Sequence, residues 1–216
     1  MAHSTLLYII KQSEGSVDTY YNKKTQALID GTDVHQGIED YEDGQLVDFE
    51  NKSREATKGM ISYVCWREKH NPEIISIEKM LYSPRISKGK LVFGFAGRCD
   101  MVARIDGDVW MLDAKTSINY KDPNYMYQLS MYKMLWEEMG GEKIDRLGVI
   151  RCSKTFSGER PSPRTNLLHE VDYNPEAVGH LVYQFNMFYE DYDKDQKPKR
   201  KPKLQSTFQL DLSESK

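Results

Sequence analysis

The stretch Gly97–Tyr132, GRCDMVARIDGDVWMLDAKTSINYKDPNYMYQLSMY, decides the fold, because its hairpin register can be worked out from the residues alone. Asp106-Gly107 is the dipeptide that tolerates the positive φ angles of a two-residue type I′ turn, and apolar-rich runs flank it. Closing the turn there pairs Ile105 with Asp108. The same register sets Asp100 opposite Asp113, with Cβ atoms about 5 Å apart on one face. Lys115, two residues beyond Asp113, points to that face as well, since side chains alternate along a strand. Cys99, Met101, Ala103 and Ile105, against Trp110, Leu112 and Ala114, form an unbroken apolar set on the other face, which is expected to be the core.

Two carboxylates held together on a half-buried sheet repel unless positive charge sits between them. A divalent cation answers that need, and an all-oxygen donor set favours Mg²⁺ or Mn²⁺, whose coordination is completed by water and substrate phosphate. In the plainer alternative, Lys115 and Arg98 neutralise the pair as a surface charge cluster.

Composition narrows the classes around this stretch. The chain has 216 residues, 39% of them hydrophobic, and 14 tyrosines, enough for one domain with a real core. Its formal net charge of −3 supplies no global field toward nucleic acid or membrane, so any such binding must be local. Three cysteines, Cys65, Cys99 and Cys152, lack CxxC spacing. That argues against a disulfide framework, a structural zinc site or an iron–sulfur cluster, and fits a reducing, cytoplasmic setting. The apolar run Leu6–Ile10 is too short for a signal segment or a membrane span.

Taken in order, residues 1–30 carry no decisive pattern. Thr32 or Asp33 caps an expected helix through His35, Ile38 and Tyr41 that stops at Gly44, placing His35 in its first turn. A second helix is expected over about Arg54–Lys69, before Asn71-Pro72. Strands come next over Glu73–Tyr82, with a break at Ser83-Pro84, then Leu91–Ile105, bent at Gly94 and Gly97, and Val109–Thr116. Asp122-Pro123 caps a largely buried helix that runs to about Met139 and ends at Gly140-Gly141. Arg146–Cys152 reads as a fourth strand, and Asn174-Pro175 as the start of a last helix. Lys197, Lys199, Arg200, Lys201 and Lys203, interleaved with prolines, form a tail with no packed element, either solvated or a flexible phosphate-binding arm. The expected organisation is one domain over 1–193 with a helical N-terminal part, then a basic tail over 194–216.

Gln128 and Tyr132 stack as i and i+4 on the buried helix, and a buried glutamine needs a partner. At this point the chain resembles the PD-(D/E)xK nuclease superfamily, in particular its RecB-like branch of stand-alone exonucleases of phage or mitochondrial type. The resemblance rests on His35 in DVHQGIE, Asp100 in AGRCD, Asp113 and Lys115 in MLDAKTS, and the Q-x-x-x-Y of YQLSMY, and it covers roughly Gly31–Cys152. Aspartate stands where the family often has glutamate in its D/E-x-K motif. Glu78, in ISIEKMLYS, matches loosely a carboxylate that some members carry on the first strand. The four cysteines by which some relatives hold an iron–sulfur cluster are not matched.

The resemblance implies an α/β (α+β) fold with a restriction-endonuclease-like core, a central mixed sheet flanked by helices in the order α-β-β-β-α-β. It implies Mg²⁺ or Mn²⁺ held by Asp100, Asp113, the Ala114 carbonyl and His35, with Lys115 as the catalytic cation and Gln128 and Tyr132 in support. The implied activity is a DNA exonuclease of recombination, repair or replication. A structure-specific endonuclease of the same fold and a DNA-binding module without catalysis are the alternatives. Arg98, Arg151, Lys154, Arg160 and Arg164 are candidates for the DNA backbone. Beyond DNA, a single-strand annealing or binding protein, or a second copy of the chain, is left open, and no membrane partner is expected.

Overall fold

The computed structural model describes residues 17–87, 90–117, 119 and 121–180, with side chains from residue 21 onward except those of 84–95. The basic tail and most of the expected last helix lie outside the described residues. The helices and strands belong to one compact unit that ends at Val178.

The elements run α1 (Val17–Glu42), α2 (Arg54–His70), β1 (Glu73–Ser87), β2 (Lys90–Ile105), β3 (Asp108–Lys115), α3 (Pro123–Glu138), β4 (Arg146–Arg151) and β5 (Leu168–Val171). The strands form one mixed sheet in the order β1-β2-β3-β4-β5, with β3 and β4 parallel and the other neighbours antiparallel. The expected core order is present, with a further helix before it and a fifth strand after it.

Local chemistry sets the boundaries. Ser53 Oγ accepts from Ala56 N–H at 3.0 Å and caps α2, which closes at Asn71 in the left-handed region (φ 41°) before Pro72. Asp122 caps α3 through Asn124 N–H at 2.9 Å, with Pro123 at the first helical position. The hairpin turn has φ of 52° at Asp106 and 94° at Gly107, and the register is the expected one from Ile105↔Asp108 to Met101↔Leu112.

Four expectations are corrected. Helix α1 begins at Val17, not at Thr32 or Asp33. Thr32 Oγ1 donates back to the Leu28 carbonyl at 3.1 Å, a bond available inside a helix, so it caps nothing and His35 lies deep in the helix. Strand β1 passes through Ser83-Pro84 without a break, with Pro84 opposite Gly94, because an edge strand needs no N–H on its open side. The irregularity expected at Gly94 falls between Arg85 and Ile86 in the β1–β2 register.

The fourth correction bears on the site. Met101, Ala103, Ile105, Trp110, Leu112 and Ala114 pack against Val34, Ile38, Met60, Tyr63 and Trp66 of α1 and α2, as expected. Cys99 does not join them. It packs with Leu81, Val102, Met111, Leu129 and Leu135 on the α3 side. Ile77 packs on the α1–α2 side and Leu81 on the α3 side, although both are odd-numbered on one strand. Both strands therefore exchange faces at the level of Glu78 and Asp100, where Glu78 has φ of 47° and the two residues drop out of the ladder between Ile77↔Met101 and Lys79↔Cys99.

Candidate active site

The exchange of faces re-aims the first carboxylates. Asp100 turns its Oδ2 toward α1, 3.5 Å from His35 Nδ1, while its carboxyl remains beside that of Asp113. Glu78 Oε1 stands 3.6 Å from the same nitrogen. One donor atom from each of His35, Glu78 and Asp100 lies within 4.8 Å of the others. Asp113 and Lys115 stay on the α3 side of β3. Gln128 Nε2 donates to Asp113 Oδ1 at 3.2 Å and lies 3.4 Å from the Tyr132 hydroxyl, so the buried glutamine finds its partner in the carboxylate itself. Lys115 Nζ is 2.6 Å from Asp113 Oδ2, so the ammonium is the partner of this buried oxygen.

The two halves meet through the sheet. Hydrogen-bonded pairing of β2 and β3 stops at Met101↔Leu112, and Asp100 Oδ2 takes the Ala114 N–H at 2.8 Å in place of a backbone carbonyl. Close approach of α3 is permitted by Gly97, where a Cβ would stand 2.5 Å from Tyr132 Cε1. The glycine expected to bend the strand thus serves the aromatic ring above it.

The electrostatics describe a site short of positive charge. Burial, reinforced by the neighbouring Asp113, pushes the Asp100 carboxyl up to about 7. Burial also raises Asp113, against the opposing pull of Lys115. Burial lowers the His35 pKa, but the hydrogen bond to Glu78 and the charge of Asp100 outweigh it and leave it above the usual value. In the same way Asp113 and Asp100 overcome desolvation and raise Lys115. Protons here stand in for a cation. The donor set of one imidazole and several carboxylate oxygens, converging from His35, Glu78 and Asp100, fits a hard divalent ion.

His35, Glu78, Arg98, Asp100, Tyr132 and Lys154 line a cleft of about 1010 Å³. Asp113 lies beneath it, 1% exposed. Of the basic candidates, Arg98 reaches the cleft while paired with Glu78 Oε2 at 2.7 Å, and Lys154 reaches it while paired with Asp30. Arg151 borders an adjoining side pocket with Lys154, Thr116 and Ser117. Arg160 is engaged with Glu68 at 2.7 Å and Arg164 is exposed, and neither lines the cleft.

Sequence reasoning missed Lys24, Thr32, Thr116, Ser117 and Asn119 as lining residues. Lys24, Leu28, Gly31 and His35 fall at spacings of four, three and four, one stripe of a helix, which was legible only if the helix extended upstream. Asp30 was missed too, although Gln26 four residues before it is its helical partner.

No curated protein matches the chain by sequence. Among solved structures it is similar to the one described as "Crystal structure of SSO0001", at 15% identity and a TM-score of 0.37, over 61% of this chain and 57% of that one. Residues 2–200 match the PD-(D/E)XK nuclease superfamily. That match takes in every element that brings a side chain to the cleft, from the helix of His35 through the strand of Lys115 to the helix of Gln128. The chain belongs to the PD-(D/E)XK nuclease superfamily.

Proposed function

We propose that the protein is a deoxyribonuclease that uses Mg²⁺ or Mn²⁺ to hydrolyse DNA phosphodiesters without regard to sequence, working from strand ends as an exonuclease in recombination, repair or replication. The observation that carries the metal-dependent reading is the convergence of His35, Glu78 and Asp100 at a cleft. Membership of the superfamily implies nuclease chemistry and a DNA substrate. The RecB-like branch is favoured by a histidine on the preceding helix and by the glutamine–tyrosine pair on α3, which meets Asp113.

His35, Glu78, Asp100 and Asp113 would hold the ion, with the Ala114 carbonyl as a further ligand. The chemistry such an ion would supply there is neutralisation of these carboxylates, polarisation of the scissile phosphate and activation of water. Lys115 acts as a fixed positive charge. Its ammonium, held 2.6 Å from Asp113 Oδ2, donates to phosphoryl oxygens that gain charge. Gln128 holds Asp113 by Oδ1, and the Tyr132 hydroxyl accepts from Gln128. The cleft offers Lys24, Arg98 and Lys154 together with hydroxyls and amides, chemistry suited to phosphate and sugar rather than to base edges.

Linear and covalently closed duplexes, each with Mg²⁺, Mn²⁺ or EDTA, test the reading together. Linear DNA is degraded with either metal and spared in EDTA, and closed circles persist. Circles cut as fast as linear DNA would make the protein an endonuclease.

A further inference from the structure

Lys154 lies beyond β4 and borders both the main cleft and a side pocket of about 160 Å³ lined also by Thr116, Ser117, Arg151 and Ser153, with one acid, Glu55. What fixes it there is a buried carboxylate on α1. Asp30 is 3% exposed. Its Oδ1 accepts from Gln26 Nε2 at 2.8 Å and from Ser53 Oγ at 2.7 Å, while its Oδ2 faces Lys154 Nζ at 3.2 Å. The neutral donors share one oxygen and the cation has the other. Burial works against ionisation of Asp30, but the bonds from Gln26, Ser53 and Lys154 outweigh it and hold the carboxyl below its usual range.

The division of labour between the oxygens is informative. Ser53 caps α2 with its own oxygen and needs no carboxylate for that. Oδ2 therefore serves Lys154, whose long side chain would otherwise sample many rotamers. We propose that Asp30 is a positioning residue for DNA: it fixes the Lys154 ammonium at the junction of cleft and side pocket, where that ammonium holds a backbone phosphate of the cleaved strand other than the scissile one. The hydroxyls of Thr116, Ser117 and Ser153 and the guanidinium of Arg151 complete the surroundings of that phosphate. The inference rests on the nuclease reading and extends it to a residue away from the metal donors.

The test compares Asp30→Asn, Lys154→Met, Lys154→Arg, Ser53→Ala and the Asp30→Asn/Lys154→Met double variant with the unmodified protein. The readouts are turnover and KM on linear DNA with Mn²⁺, together with melting temperature. Asparagine keeps an acceptor for Gln26 and Ser53 but turns an NH₂ against Lys154, so it frees the lysine and spares the cap. Removing a negative charge from a DNA cleft should, by charge alone, tighten binding. Loss of positioning instead lowers turnover about tenfold. The double variant falls no further than Lys154→Met, Lys154→Arg keeps most activity, and Ser53→Ala loses stability without that loss of turnover. The inference is overturned if Asp30→Asn cleaves as well as the unmodified protein, if the two losses multiply, or if Ser53→Ala reproduces them. Should Asp30→Asn not fold, normal turnover by Lys154→Met overturns it equally. An unmodified protein that cuts no DNA with either metal defeats the nuclease reading itself.

Discussion

At the scale of single residues, the site is a balance between buried carboxylates and the few cations that face them. Lys115 is the cation closest to the buried pair, 2.6 Å from Asp113 Oδ2. Lys115→Ala should lower metal-dependent cleavage by about a thousandfold, the size of effect seen when a preorganised donor is lost from a reacting oxyanion, with the protein still folded by circular dichroism. Unchanged cleavage would remove Lys115 from the mechanism. Asp100 gives a prediction in the metal-free protein. Its carboxyl titrates at about 7 instead of the usual 3.8. Between those values the folded chain holds a proton that the unfolded chain has released, so stability falls as pH rises through that window. His35, raised above 6.5, acts in the same direction. Asp100→Asn needs no proton to be neutral. In EDTA its melting temperature should therefore exceed that of the unmodified protein by several degrees at pH 8 and by little at pH 4, and equal gains at both would refute the assignment.

At the scale of elements, Gly97 on β2 and Tyr132 on α3 form the contact that seats the helix over the site. A Cβ at Gly97 would stand 2.5 Å from the ring, so the ring must move and take Gln128 with it. Gly97→Ala should destabilise the protein by about 1–3 kcal/mol and slow cleavage as well. Tyr132→Phe, which removes only the hydroxyl, should keep stability and lose part of the activity. Equal rates for Gly97→Ala and the unmodified protein would show that α3 does not depend on this approach. Legibility in the sequence differs from element to element. The β2–β3 register and the N-cap of α3 were readable because a two-residue turn and an Asp-Pro pair act locally. The exchange of faces was not, because it needs Glu78 and Asp100, which are distant in sequence, to leave the ladder together, and a glutamate at φ of 47° has no signature in the chain. The start of α1 was hidden by residues that resemble caps but bond within the helix. Strand β5, LHEV, is four residues long, too short to show a period.

At the scale of the molecule, the sheet is covered on both faces, by α1 and α2 on one side and α3 on the other, and the candidate site lies where the β2–β3 ladder opens between them. His35 comes from one layer and the Gln128 that holds Asp113 from the other. Among the described residues no helix is long and apolar enough to cross a membrane, and with a net charge of −3 any DNA binding would have to be local. Among the described residues, Lys24, Arg98 and Lys154 bring positive charge to the cleft. A bound divalent ion would then join both layers through donors that the unfolded chain does not assemble, so its binding energy adds to folding stability. At a concentration about a hundred times its dissociation constant, that gain is about 2.7 kcal/mol. For a domain of this size it corresponds to a rise in melting temperature of roughly 5–10 °C. Thermal unfolding in EDTA, and then with excess Mn²⁺ or Mg²⁺, should show this rise, reversed by chelation and lost when Asp113→Asn and Glu78→Gln are combined. Retention of the full shift in that double variant would place the ion elsewhere on the protein and detach the metal from the junction of the two layers.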